Sequence, residues 1–336
     1  MRGVVCHSDG IYTVDSRYGD QPRLAAVHIV IDHGKAAIID TGSNASVPHI
    51  LATLAWLDIK PEAVEWVILT HLHLDHAGGA GSLMCALPRA RVVMHPSATH
   101  HLSNPAMLWK KTVAVYGPEQ TFRLYGRLTP VDGQRIVPSS DGMELPLGGR
   151  VLCLIDAPGH ARHHIVVWDE RTRAFFTGDA FGISYREFDV GGRSFVFPAS
   201  SPGQFDPLTM IKSIGRMLSH APQTMYLAHY GKVTGLERLA IDMFRLIHAQ
   251  VAIAQAARGD GLTRHVEILV GLEELVREEC ARQQWALNAD ISLNLLRHDL
   301  NLNAQGLGVW LDHQEHEEMK AAMVDNDMEA ARVAAA

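Results

Sequence analysis

Thr70-His71-Leu72-His73-Leu74-Asp75-His76-Ala77-Gly78-Gly79 puts three histidines and an aspartate within a few residues, directly after the apolar run Trp66-Val67-Ile68-Leu69. Imidazole nitrogen and carboxylate oxygen are the ligands that zinc and similar divalent ions prefer. The apolar run is short and bounded by a sharp change in polarity, so it reads as a buried strand. On a strand-to-loop turn His71 and His73 share a face, because side chains two apart point the same way. Asp75 and His76 then turn toward a second point close by. One short segment can therefore serve two adjacent metals. A solvated His cluster or a satisfied core histidine is the ordinary fate of a lone His, but it fits four such groups at this spacing poorly.

His-x-His-x-Asp-His after a hydrophobic strand, followed by Gly-Gly, resembles the signature of the metallo-β-lactamase-fold hydrolases. The resemblance implies an α/β (α+β) architecture, a four-layer αββα sandwich, with further ligands delivered by later strands. Three such places follow in order: Asp156-Ala157-Pro158-Gly159-His160 after the run 151–155, Gly178-Asp179-Ala180 after 173–177, and His229-Tyr230-Gly231 after 224–228. Carried over residue by residue, the family pattern implies His71, His73 and His160 on one metal. Asp75, His76 and His229 would hold the other, with Asp179 between them. In the Pro-Gly-His pattern His160 is the ligand and His164 packs beside it or supports it. His163 stands where a small residue is more usual, and an exchange of roles between His160 and His163 stays open. Asp40 of Asp40-Thr41-Gly42 is expected to order its loop and support the site from behind rather than bind metal. The set contains no cysteine, so two divalent ions are expected, zinc first, with iron or manganese also suited to nitrogen and oxygen donors.

The elements that must position these groups are legible as alternating runs. Strands are expected at 11–14, 25–31 and 36–40, the last two joined by the hairpin turn Asp32-His33-Gly34-Lys35. Helices are expected at 47–57, with Ser43 or Asn44 to cap it, at 80–87, and at 207–220 as an amphipathic cover. Residues 90–94 read as a strand. His95, His100 and His101 follow it, and no partner set is left over to make them ligands. Residues 103–128 form a helical insertion whose aromatics, Trp109, Tyr116, Phe122 and Tyr125, are read first as packing residues and second as the lining of an entrance. The resemblance covers residues 10 to 235. Residues 1–235 are therefore expected to form the catalytic domain, and 236–336 a helical extension with helices at 236–258, 263–282 and 290–301. Gly306 to Leu311 is expected to end the ordered part, leaving a tail from His313 that is frayed or disordered.

At 336 residues the chain can hold a large core, and 47% hydrophobic with 20% charged residues is ordinary for a globular protein. A formal net charge of -7 argues against a nucleic-acid-binding face. The four cysteines, Cys6, Cys85, Cys153 and Cys280, form no Cys-x-x-Cys pair, and the first residues lack the apolar region of a signal peptide. No apolar run is long enough for a membrane span. A cytoplasmic protein acting on a small-molecule substrate, without nucleic acid or membrane, is expected, and a homodimer is left open.

The chemistry implied is hydrolysis of an activated acyl bond by a metal-bound hydroxide, because binding lowers the pKa of water from about 15.7 toward about 7. Asp75 is the expected catalytic carboxylate, orienting that nucleophile or moving a proton. Within the family the chain looks most like the glyoxalase II branch, which points to a thioester, then a lactone or ester. Lactonases of the fold often carry Tyr three residues after the bridging Asp. Here Gly182 stands there and Tyr185 lies further on, as a pocket candidate or a packing residue. A regulatory protein that keeps the metals and acts through a partner is the non-enzyme alternative.

Overall fold

Phe175 and Phe176 are neighbours in sequence, both fully buried, yet they belong to different cores. Successive side chains of a strand point to opposite faces, so a strand apolar on both faces must be covered on both. The computed structural model describes residues 1–200 and 202–334, with only the backbone of 318, 319 and 321–334. Its strands form two such sheets.

The first sheet runs in the order β1 (Val4–Cys6), β2 (Ile11–Asp15), β3 (Ala26–Asp32), β4 (Lys35–Ile39), β5 (Val64–Ile68), β6 (Arg91–Met94), β7 (Ile136–Pro138). It is antiparallel up to β4 and parallel beyond it. The β3–β4 turn has φ of 46° at His33 and 73° at Gly34, the double positive φ of a two-residue hairpin. The second sheet comprises β8 (Met143–Leu147), β9 (Arg150–Asp156), β10 (Ile165–Asp169), β11 (Ala174–Ile183), β12 (Thr224–His229) and β13 (Gly231–Val233), in chain order across the sheet. Among the described residues, only β11 and β12 pair in parallel there.

Ile39, Ile68 and Val93 of the first sheet meet Leu154, Val167 and Phe176 of the second in the inner core. The outer face of the first sheet, with Val27, Ile38 and Val67, is covered by α1 (Val47–Trp56) through Ile50 and Leu54. The short α2 (Leu74–Ala77) and α3 (Ala80–Ala86) lie on the same side. Ser43 caps a 3-10 turn, Asn44–Ser46, that precedes α1 rather than capping α1 itself. The insertion holds α4 (Thr99–Ser103), α5 (Ala106–Tyr116) and α6 (Pro118–Tyr125). On the second sheet, Val166, Phe175 and Leu227 pack under α7 (Pro207–Ser219), whose first turn is capped by Asp206 accepting from Thr209 N at 2.8 Å. Removing a fully buried phenylalanine from such a core costs about 3–5 kcal/mol.

The helical region supplies α8 (Leu236–Ala256), α9 (Gly261–Gln283) and α10 (Ala289–Ala334). Here the structure departs from expectation. Gly306 and Gly308 do not end the helix: α10 runs through them. Leu296, Leu300, Ala304 and Leu307, spaced three and four apart, are buried in the same cluster as α8 and α9. That burial outweighs the roughly 1 kcal/mol each glycine costs in a helix. The expected frayed or disordered tail falls largely on side chains outside the described residues, and Ala335 and Ala336 lie outside them altogether. Among the described residues no helix is long and apolar enough to cross a membrane.

Candidate metal centre

The expected ligands sit at or just beyond strands, save Asp75 and His76, which the short α2 carries after β5, and the two sheets bring those places together. His71, His73, His160 and Asp179 form one group, and Asp75, His76 and His229 a second, each with its ligand atoms within 4.8 Å of one another. In the first, His71 Nε2 and His160 Nε2 lie 2.8 and 3.2 Å from His73 Nδ1. In the second, Asp75 Oδ2 lies 3.4 Å from His76 Nε2 and 3.2 Å from His229 Nε2. Asp179 stands between them. Its Oδ2 faces the first group, 3.4 Å from His160 Nε2 and 4.0 Å from His71 Nε2. Its Oδ1 faces the second, 3.3 Å from His76 Nε2 and 3.7 Å from His229 Nε2.

Local backbone explains the aim of Asp179. The sequence expectation ends that strand at 177, but β11 continues to Ile183 and shifts register around Gly178. Gly178 has φ 48°, and a Cβ there would fall 2.6 Å from Thr70 Oγ1 and 2.8 Å from His164 Nε2. Only glycine fits that bulge, and bulges are a usual means of re-aiming a side chain beside a site.

The far side of four of the rings, those of His71, His76, His160 and His229, is held. His76 Nδ1 donates to Asp40 Oδ2 at 3.0 Å, His160 Nδ1 to Ala199 O at 2.8 Å, and His229 Nδ1 to Leu24 O at 2.9 Å. Thr70 Oγ1 donates to Asp40, leaving its lone pair for His71 Nδ1 at 3.2 Å. These bonds assign the proton to Nδ1 and leave Nε2 as the free donor atom. Asp40 also accepts from Thr70 N at 2.8 Å. It thus stands behind the site and not in either group. His164 stacks on His71, centroids 4.8 Å apart, and its Nε2 accepts from Asp179 N at 3.2 Å. His163 lines the adjoining cavity and belongs to neither group. Nor do His95, His100 and His101; His95 caps a 3-10 turn through Ser97.

The electrostatics divide the site in two. Burial and mutual repulsion push His71 well below its ordinary value, and burial takes His73 down to about 3 and lowers His160, leaving neutral rings. In the second group burial pushes the same way but loses. The carboxylates of Asp179, Asp75 and Asp40 raise His76 well above its ordinary value, and Asp179 with Asp75 raises His229 to about 9. Against the upward push of burial, His76 and His229 hold Asp75 and Asp179 well below the usual carboxylate range. The donors fit divalent cations. His76 Nε2 and Asp179 Oδ1 are buried without a hydrogen-bond partner, and in the first group the ligand atoms of three neutral imidazoles converge with a carboxylate oxygen of Asp179. A cation satisfies all of them, and at the second group it displaces protons.

A cavity of about 610 Å³ opens onto His73, Asp75, His160, Asp179 and His229. Its far wall comes from the insertion and from α10: Leu108, Thr112 and Tyr116 on one side, Asp299, Leu302 and Asn303 on the other. Tyr116 and Tyr125 reach it; Trp109 and Phe122 do not, and Phe122 is exposed. Tyr185 lines it as well, its hydroxyl 3.1 Å from both oxygens of Asp299. Tyr18, Asp299 and Asn303 carry no signal in the sequence beyond helical or strand periodicity. Tyr18 and Tyr125, joined by a 2.8 Å hydroxyl contact, come from far apart in the chain.

A family model described as the metallo-beta-lactamase superfamily matches residues 21–224. "Metallo-beta-lactamase fold-containing protein ST1585" of Sulfurisphaera tokodaii is 27% identical over 273 residues, covering 79% of this chain and 97% of that one. The human "Acyl-coenzyme A thioesterase MBLAC2" is 27% identical over 185 residues, 51% of this chain and 63% of its own. The "Hydroxyacylglutathione hydrolase" of Yersinia pestis is 30% identical over 142 residues, 42% of this chain and 41% of its own. Thus the chain spans less than two thirds of either named enzyme. The crystal structure of the archaeal protein superposes with a TM-score of 0.61 at 22% identity, over 90% of this chain and 99% of that one. That of a metallo-beta-lactamase family protein from Thermus thermophilus gives 0.64 at 18%, over 91% and 94%. Both share the fold.

Proposed function

The chain belongs to the metallo-beta-lactamase superfamily, and from that premise we propose that it is a dinuclear metal-dependent hydrolase that cleaves an activated acyl bond, a thioester foremost. The observation that carries this reading is Asp179, with one carboxylate oxygen on each of two ligand groups. His71, His73 and His160 would hold one divalent ion and Asp75, His76 and His229 the other, zinc being the ion best suited to these borderline donors, and iron or manganese also accommodated. Two such ions would supply Lewis acidity to a substrate carbonyl and would bring the pKa of a bound water from about 15.7 toward about 7.

The remaining work falls to the chain. Asp75 is partly exposed to the cavity, so its carboxylate can orient the attacking water and accept its proton. The described acidic residues of the cavity wall are Asp75, Asp179 and Asp299, and Asp299 already binds the Tyr185 hydroxyl. Asp75, once it has taken the water's proton, can pass it on to the leaving group, and a group that departs as an anion asks little of it. A thiol, with a pKa near about 8.5, leaves as thiolate far more readily than an alcohol does. Lys111 and Arg162, both exposed where they line the cavity, suit a carrier thiol that bears negative charge. The four cysteines are free, Cys6 and Cys85 exposed, consistent with a cytoplasmic setting.

Elemental analysis combined with a hydrolysis panel of thioesters, lactones and esters tests the proposal. We expect two metals per chain and thioester cleavage that Asp75→Ala and His160→Ala each abolish. A metal-loaded protein that cleaves nothing in the panel refutes the hydrolase, and preferred lactone turnover refutes the thioester.

A further inference from the structure

The peptide around Ala199 is gripped from outside the sandwich. Ala199 O is the acceptor that holds the His160 ring, leaving its Nε2 toward His73 and Asp179. A single carboxamide brackets it. Asn303 Nδ2 donates to Pro198 O at 2.8 Å, and Asn303 Oδ1 accepts from Ser200 N at 2.8 Å. The two bonds straddle Ala199 much as a neighbouring strand would. Gln250 adds to the grip: its Oε1 accepts from Ser200 Oγ at 2.9 Å and its Nε2 reaches Pro198 O at 3.5 Å. Gln250, Ser200 and Asn303 are 0%, 1% and 3% exposed. Buried amides cost free energy unless satisfied, and here both are spent on one short loop. Gln250 belongs to α8 and Asn303 to α10.

We infer that Asn303 and Gln250 are positioning residues for His160: by clamping Pro198 to Ser200 they fix the acceptor that orients its ring, which makes the C-terminal helices part of the metal centre. The inference rests on the reading of His160 as a ligand. Without the clamp the Ala199 carbonyl is free to move, the ring loses its fixed partner, and Nε2 is no longer aimed before the ion arrives.

The test uses the full chain and reads metal affinity, not turnover alone. Stepwise zinc binding is measured by competition with a chromophoric chelator, beside thermal unfolding of the metal-free protein. Asn303→Leu keeps the bulk and removes both bonds. It should weaken one of the two zinc steps by about 10–100-fold, the range typical of outer-shell partners, and that step should be the one His160→Ala removes. Gln250→Leu should do less, since one of its bonds is long, and Asn303→Asp, which keeps the bond from Ser200 N, should recover part of the loss. Leu272→Ala, a cavity in the helical core away from the loop, serves as the control for lost stability. It should lower the unfolding temperature and leave both zinc steps alone. If Asn303→Leu behaves like Leu272→Ala, or weakens both steps equally, the residue is merely structural and the inference fails while His160 remains a ligand. If His160→Ala leaves both steps intact, the ligand reading itself falls and takes the inference with it.

Discussion

Asp40→Asn alters one atom behind the second ligand group and should cost that group selectively. The carboxylate accepts from Thr70 N at 2.8 Å, from Thr70 Oγ1 at 2.9 Å and from His76 Nδ1 at 3.0 Å, all of them buried. Asparagine can keep its oxygen on Thr70, but its NH2 then faces the His76 Nδ1–H, donor against donor. If the contact opens, a buried donor is left unsatisfied at about 1–3 kcal/mol. If instead the imidazole moves its proton to Nε2, the atom facing Asp75 and Asp179 can no longer bind a cation. Either route weakens the ion held by Asp75, His76 and His229. The expected loss is about 10–100-fold in affinity, or about 1.4–2.7 kcal/mol. Thr70 keeps an acceptor for its hydroxyl proton and so still supports His71, which spares the other group. Chelator competition should therefore show two zinc steps in the wild type and one weakened step in Asp40→Asn, distinct from the step lost in His160→Ala. Unchanged affinities, or loss of the same step as His160→Ala, would refute the argument that Asp40 sets the tautomer of His76.

The metal-free protein should lose stability as pH rises. His229 is raised from 6.5 to about 9 and His76 well above its ordinary value, so their contribution is whole below pH 6.5 and lost as pH rises through about 9. For His229 alone this amounts to about 3 kcal/mol. Denaturant titrations of the metal-free chain across that window should show the decline, and a flat profile would contradict the pairing with Asp75 and Asp179. Reversing charge with Lys111→Glu and Arg162→Glu together should raise KM about tenfold at low salt for a thioester of a phosphorylated thiol. A truncated neutral thioester should be unaffected and kcat retained; equal effects on both substrates would remove the two residues from recognition. Gly159→Ala should destabilise by about 3 kcal/mol or more. Its φ is 135° and a Cβ would sit 2.4 Å from Met210 N, so an unchanged unfolding temperature would show that α7 can retreat from the His160 turn.

The strand ends that carry His71 to His76, His160, Asp179 and His229 were legible because each follows a short apolar run that must be a strand buried on both faces. Period and polarity are local signals, and these are local features. What escaped was set by contacts between distant segments. The bulge at Gly178 is visible only once Thr70 and His164 are known to crowd it. The passage of α10 through Gly306 and Gly308 depends on burial against α8 and α9, which helix propensity alone does not contain. Tyr18 and Tyr125, whose hydroxyls touch at 2.8 Å, are separated in sequence by all of β3 to β6. Asn303 reads in sequence as one more polar residue in a helix. Only the fold shows that its amide faces the loop behind His160.

These differences follow a physical division. The ligand-bearing residues leave sheets that are buried on both faces, so their geometry is held by the largest cores of the molecule. The opposite walls of the cavity are helical: α5 and α6 of the insertion and α10 of the C-terminal region. Strand ends can thus keep one chemistry while helices vary the chamber around it. The separation is incomplete, however, because α10 contributes Asp299, Leu302 and Asn303, the last two lying three and four residues beyond the first on one helical face. Asp299 binds Tyr185 in the cavity wall, Leu302 lines the substrate space, and Asn303 holds the loop behind His160. A shift or rotation of α10 that reshapes the cavity must also pull on the loop that holds the His160 ring. The helix most suited to reshaping the cavity is therefore tied to the loop behind His160, whereas α5, which among the described residues hydrogen-bonds to neither that loop nor residues 71–76, meets the latter only through the packing of Leu108 and Tyr116 in the cluster that holds Leu74.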